Sequence, residues 1–226
     1  PPTEATAPQP NSPYGATKFA AEKVCIQWCE ADQANQCLVM RPTVIFGPNS
    51  FANMYSLIRQ IDNGKFLQVG KMANIKSLAY VDNIVATSID LWITKNQPEQ
   101  GIDFFNYVDV PDLCSRQIVE SVYLELNRKK PSFSLPLWLA RLLVFPVDLL
   151  IKITGKNLPI SSARINKLAV ANTQIDASKV HELVDPPATS VTDGIQEMVK
   201  WYQSEGKTCS VLNRRPPSKF QASSNA

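Results

Sequence analysis

Ten consecutive residues, Cys37-Leu-Val-Met-Arg-Pro-Thr-Val-Ile-Phe46, contain one charge and end at Gly47-Pro48. A strand with one wet face alternates apolar and polar residues, and this run does not alternate. It therefore reads as one strand covered on both faces, the situation of a parallel sheet flanked by helices. The segment before it agrees. Ser12 is a suitable N-cap, Pro13 suits the first helical position, and Ala16, Phe19, Ala20, Val24 and Trp28 keep a helical period to about Ala31.

The same alternation continues along the chain. A helix is expected at about 52–63, closed by Asn63-Gly64, then short strands at Phe66–Val69 and Ser77–Val81. Asp82 is expected to cap a helix through about Thr94. A strand at Phe104–Val108, a helix at Ser115–Asn127, a helix capped by Ser161 or Ser162 running to about Ala171, and a helix at Thr189–Ser204 complete the reading. Strands alternating with helices give an α/β fold with a parallel sheet.

Composition excludes several classes. Apolar residues at 44% and charged residues at 19% are those of a packed chain. The net charge of +3 is uneven: after Glu205 the tail holds Lys207, Arg214, Arg215, Lys219 and no acid, so the body carries −1. The body is therefore no nucleic-acid binder by charge, and the Pro/Ser/Asn-rich tail reads as disordered. Five cysteines at irregular spacing give no disulfide framework and fit the reducing cytoplasm. Cys25 and Cys29 share a helix face, but the only histidine is the distant His181, so no metal site is expected; His181 itself reads as a surface residue. None of the eight glycines forms a G-x-G-x-x-G cluster, so these residues hold no phosphate loop of that kind. The first residue is not Met and the first ten include four prolines, which reads as the interior of something longer.

Tyr14 and Lys18 stand four apart near the start of the first helix, on one face. An ammonium beside a phenol favours the phenolate, a form able to take a proton from an alcohol. Taken alone, such a pair also describes an ordinary solvated helix face.

The context adds to it. Ser12-Pro-Tyr-Gly-Ala-Thr-Lys18, Arg41-Pro-Thr-Val-Ile-Phe-Gly-Pro48, Tyr80-Val-Asp-Asn83 and Asp176-Ala-Ser-Lys179 follow one another in order, ahead of Thr189 to Tyr202. Together they resemble the extended short-chain dehydrogenase/reductase family, the NAD-dependent sugar epimerases and dehydratases. Asn53-Met-Tyr-Ser, Ile75-Lys-Ser-Leu-Ala-Tyr-Val81, Asn106-Tyr-Val-Asp109 and Lys152-Ile-Thr-Gly-Lys156 resemble, within it, bacterial epimerases acting at C4 of polyprenyl-diphosphate-linked N-acetylglucosamine, as in O-antigen and other lipopolysaccharide synthesis.

The resemblance implies the following. Tyr14 takes the proton of the sugar 4-hydroxyl while NAD accepts a hydride, and a 4-keto sugar turns over and is reduced on its other face. Lys18 holds the nicotinamide ribose, and Pro42, Thr43 and Val44 lie along the nicotinamide. Lys76 and Arg164 meet the diphosphate as cations, and Asn53 donates to a phosphate from a helix start. The bland reading of these three is a surface charge or a cap. Residues 1–48 become the C-terminal part of a Rossmann domain. Residues 49–205 form a substrate-binding lobe that returns to the sheet around 76–108, and 206–226 are the tail. The glycine-rich loop and the orienting Ser or Thr of the family would stand well before Tyr14, so the chain reads as an incomplete and by itself inactive part. A homodimer through the Tyr14 helix is expected. The rival readings are a nucleotide-sugar dehydratase, a 4-keto-sugar reductase, or a non-catalytic interaction module.

One segment fits none of this chemistry. Residues 135–153 are nearly all apolar, yet Arg141, Asp148 and Lys152 interrupt them on one narrow stripe, and Pro146 breaks or kinks the run. Burial against another part of the protein and peripheral contact with the inner face of the cell membrane are the two readings.

Overall fold

The structure is a computed structural model, and it describes residues 1–94, 101–154, 166 and 171–209. Arg164, the helix expected before Ala171 and most of the basic tail lie outside the described residues.

Helix α1 spans Pro13–Ala31, and the Ser12 hydroxyl accepts from the Gly15 N–H at 3.1 Å, satisfying one of the amides that a helix start leaves without a partner. The apolar run after it is two strands, not one. β1, Cys37–Pro42, pairs in parallel with β5, Ile102–Tyr107, in the register Pro42 to Tyr107. β2, Val44–Phe46, pairs in parallel with β4, Leu78–Tyr80, in the register Val44 to Leu78. The change of neighbour falls at Thr43, whose N–H donates to Tyr107 O at 3.2 Å. Pro42 has no N–H to lose there, so a proline is tolerated where the ladder changes hands.

Helix α2 spans Asn53–Asp62 and buries Met54, Tyr55, Ile58 and Ile61, one face of a 3.6-residue period. It closes at Gly64, whose φ of +65° is open to a residue without Cβ, with Lys65 N–H bonded back to Gln60 O. The stretch expected as a strand at 66–69 is not one: a single bridge joins Val69 to Leu135, because the flanking chain finds no continuous partner. A short antiparallel pair goes unforeseen in the sequence, β3 (Ile75–Lys76) against β6 (Leu113–Cys114). Helix α3, Val81–Thr94, begins one residue before Asp82, which sits in its first turn and does not cap it. Helices α4 (Ser115–Glu125), α5 (Leu137–Thr154), α6 (Ser178–His181) and α7 (Val191–Trp201) follow. Beyond α7, Tyr202–Gly206 form a π-helical turn.

The larger core gathers Phe46, Ile58, Val122, Ile195 and Met198 between α2, α4, α7 and the β2–β4 pair. α7 buries Val191, Ile195, Met198 and Val199, each contributing about 1.5–3 kcal/mol of transfer free energy. A second cluster, Leu91, Phe105, Tyr107, Val108 and Val180, packs α3 and α6 onto β5. Among the described residues β1 pairs on one side only, and α1 buries Cys29 alone.

Candidate active site

The α1 helix carries Tyr14 and Lys18 one turn apart, and the fold keeps them together. The Lys18 ammonium lies 5.6 Å from the centre of the Tyr14 ring. Tyr14 is 72% exposed, so its hydroxyl is free to meet a ligand. The Thr17 hydroxyl donates to Tyr14 O at 2.8 Å and so turns inward along the helix, away from the phenol.

Arg41 ties this helix to the strand end. Its Nε and Nη2 donate to Glu22 Oε1 and Oε2 at 2.8 and 2.7 Å, a bidentate pair on half-buried side chains. Glu22 stands one turn after Lys18, and Arg41 immediately precedes Pro42. The guanidinium also lies 4.5 Å above the Phe104 ring. Pro42, Thr43 and Val44 occupy the point where the sheet changes partner. Thr43 Oγ1 is buried there without a hydrogen-bond partner among the described residues, a condition that costs free energy unless a ligand or water completes it.

The expected phosphate residues fall elsewhere. Asn53 is the exposed first residue of α2, and Ala52 before it provides no side-chain cap. Lys76 does not extend freely: its Nζ donates to Ala171 O at 2.6 Å. An open pocket of about 740 Å³ lies between Gln68–Asn74, Arg116 and Ser134–Leu137, and none of the residues expected at the site lines it.

Two features escaped the sequence reading. Asp109 is buried and accepts three bonds, from Tyr80 N at 2.6 Å, Asn83 Nδ2 at 3.0 Å and the Tyr107 hydroxyl at 2.6 Å. It thereby fixes the ends of β4 and β5 against the start of α3. Burial foremost, and then this carboxylate, raise the Tyr107 hydroxyl above its ordinary range. The only signal was an Asp directly after an apolar strand. Burial, followed by the charge of Asp82, also pushes Tyr80 up to about 12, so neither tyrosine is a base near neutral pH. The second feature is His181, expected at the surface. It is half-buried, its Nε2 stands 3.0 Å from Val108 O, and it staples α6 to β5.

Residues 1–104 match the sequence model of the NAD dependent epimerase/dehydratase family. The undecaprenol-linked N-acetyl-α-D-glucosaminyl-diphosphate 4-epimerase of Escherichia coli O157:H7 is 44% identical over 173 residues, 76% of this chain and 51% of that protein. Through residues 1–104 the chain carries the sequence pattern of that epimerase/dehydratase family. UDP-glucose 4-epimerase of Vibrio cholerae is 28% identical over 65% of this chain and 44% of its own length. The chain thus spans about half the length of the curated relatives it matches. Among solved structures, UDP-glucuronic acid 4-epimerase of Bacillus cereus in complex with NAD superposes with a TM-score of 0.62 at 18% identity, over 88% of this chain and 55% of that one. At that identity the likeness concerns the fold, a Rossmann-like α/β arrangement.

Proposed function

We propose that this chain is part of an NAD-dependent sugar 4-epimerase whose substrate is an N-acetylhexosamine linked through a diphosphate to a polyprenyl or nucleotide carrier. The observation that carries the reading is the Lys18 ammonium 5.6 Å from the exposed Tyr14 ring on a helix tied to the Pro42 strand end. The sequence likeness to an undecaprenol-linked sugar epimerase supports the choice of substrate.

The residues present fit a dinucleotide. The unpartnered Thr43 hydroxyl lies beside Pro42, at the carboxyl end of a parallel strand, where α/β sheets receive such ligands. NAD, when bound, supplies the acceptance and return of a hydride. Tyr14 holds the proton of the sugar 4-hydroxyl at its phenolic oxygen. Lys18 keeps a positive charge 5.6 Å from the centre of the Tyr14 ring and offers donors to a ribose. Thr43 donates or accepts at the strand end, with Pro42 and Val44 as its apolar surround. Lys76, Asn53 and Arg164 are assigned to the diphosphate. Lys76 would have to exchange its bond to Ala171 O for a phosphate oxygen. With no glycine-rich loop among the 226 residues, the pyrophosphate of the dinucleotide would take its donors from outside them.

In this reading residues 1–48 belong to the cofactor domain and 49–205 to the substrate lobe, with the reaction in the cytoplasm at the inner face of the membrane. The exposed Val24 and Trp28 on α1 are the surface a second copy would cover. The test is direct. The whole epimerase of which this chain is a part in this reading, with the upstream half restored, is assayed for C4 epimerisation of UDP-N-acetylglucosamine and of undecaprenyl-diphospho-N-acetylglucosamine with NAD, wild type beside Tyr14→Phe. Conversion of the lipid-linked sugar that Tyr14→Phe abolishes is expected. Conversion unaffected by Tyr14→Phe overturns the reading.

A further inference from the structure

Helix α5 wears its apolar residues on the outside. Trp138, Leu142 and Phe145, at i, i+4 and i+7, form one stripe, and they are 68%, 62% and 64% exposed. Leu143 and, in the approach to the helix, Phe133 are equally bare. The opposite side of α5 is buried through Ala140 and Val144, so the helix is docked and its orientation is fixed. It is an amphipathic helix whose apolar stripe faces solvent and whose buried side rests on the protein.

Charge around the stripe indicates what covers it. Residues 128–146 hold four Lys or Arg, namely Arg128, Lys129, Lys130 and Arg141, and no Asp or Glu. Arg128 is paired with Asp62 and Lys130 with Glu120, which leaves Lys129 and Arg141 with no carboxylate partner among the described residues. Among the described residues the side-chain partner of Arg141 is Asn166 Oδ1, which is neutral. A second copy brought against this face would set these excess cations against their own kind. An anionic surface would not. Tryptophan and phenylalanine beside lysine and arginine are the composition of a helix lying at a lipid interface. No helix among the described residues is long and apolar enough to cross a membrane, so the contact is along the surface.

We propose that the Trp138–Leu142–Phe145 stripe of α5 docks on an anionic phospholipid bilayer, its apolar side chains entering the headgroup boundary and its flanking cations meeting lipid phosphates. The docking is independent of the chemistry at Tyr14.

The experiment is co-sedimentation of the full chain with sugar-free vesicles of phosphatidylglycerol and phosphatidylcholine, and with phosphatidylcholine alone. Wild type is expected to pellet with the anionic vesicles and at least tenfold less with the neutral ones or in half-molar salt. Leu142→Glu with Phe145→Glu should weaken partition at least tenfold, and Lys129→Glu should weaken it several-fold. The milder pair Leu142→Ser with Phe145→Ser repeats the test at exposed positions where folding is not at stake, with circular dichroism verifying the fold. Absence of vesicle binding by the wild type overturns the proposal, as does binding that neither double variant reduces. So does a wild-type dimer that the double variant splits without any lipid binding. Because the vesicles hold no sugar, failure here leaves the epimerase reading standing, and failure of the sugar assay leaves this one standing.

Discussion

Glu22 and Arg41 join the helix that carries Tyr14 to the strand that ends at Pro42, through two parallel hydrogen bonds of 2.8 and 2.7 Å. The pair ties the helix of Tyr14 to the strand end at Pro42. Removing Arg41 leaves a half-buried carboxylate without its partner and removes the cation above Phe104. Arg41→Ala should therefore cost about 2 kcal/mol of stability. Arg41→Lys should recover only part of it, because an ammonium cannot span both oxygens. Thermal melts of the two variants measure this, and equal midpoints for wild type and Arg41→Ala would remove the pair from the account.

Tyr14 touches little of the folded chain, so its removal should be visible in chemistry and not in stability. Tyr14→Phe and Lys18→Met should each melt within about 0.5 kcal/mol of wild type. In a preparation that epimerises the sugar, Tyr14→Phe should lower kcat by about 100- to 10,000-fold. A variant that retains full turnover would show that the phenol moves no proton.

Asp62 joins the end of α2 to the C-terminal turn. It accepts from Lys207 at 2.7 Å, from Arg128 at 3.0 Å and from the Tyr202 hydroxyl at 3.1 Å. The Lys207 bond, against the opposing effect of burial, holds its carboxyl below the ordinary 3.8. A carboxyl depressed in the folded state adds stability that is complete above the unfolded value and is lost as pH falls through the folded one. Stability should thus decline below about pH 4 from this group. Asp62→Asn should cost about 1–3 kcal/mol at neutral pH and flatten that decline. Melts from pH 3 to 6 on both proteins read the difference, and parallel curves would refute it.

Gly194 lies inside α7 where two rings come close. A Cβ there would meet Tyr80 Cδ2 at 2.8 Å and Cγ at 2.9 Å, with Phe46 Cζ at 3.2 Å. Alanine is the better helix former, yet the rings belong to the buried core and have little room to retreat. Gly194→Ala should destabilise by about 1–3 kcal/mol. A denaturant midpoint raised by the substitution would mean that the helical preference prevails over the overlap.

The Cys37 thiol is pushed up to about 11 by burial and by the neighbouring Cys25. The thiolate is the form that reacts. At pH 8 only about one Cys37 in a thousand would be ionised. Iodoacetamide should therefore label the exposed Cys209 well before Cys37, as followed by mass spectrometry. Cys37 labelling first would contradict the burial.

The sequence alone determines what is local. The period of α1, its Ser12 cap and the shared face of Tyr14 and Lys18 follow from helical geometry within a few residues, and α2, α4 and α7 are readable for the same reason. The apolar run at 37–46 points to a parallel α/β arrangement, and both of its strands do pair in parallel, although β1 is only half-buried and Ile45 is exposed among the described residues. Tertiary structure decides what depends on distant partners. The break at Thr43 exists because β5 and β4 compete for one strand, and no local pattern says where one neighbour ends. Asp109 draws three donors from three elements, Arg41 finds Glu22 nineteen positions away, and Lys76 bonds to Ala171 O ninety-five positions on. The Asp109 bonds follow from the need to satisfy a buried carboxylate, and all three pairings depend on which distant groups the packed chain brings together.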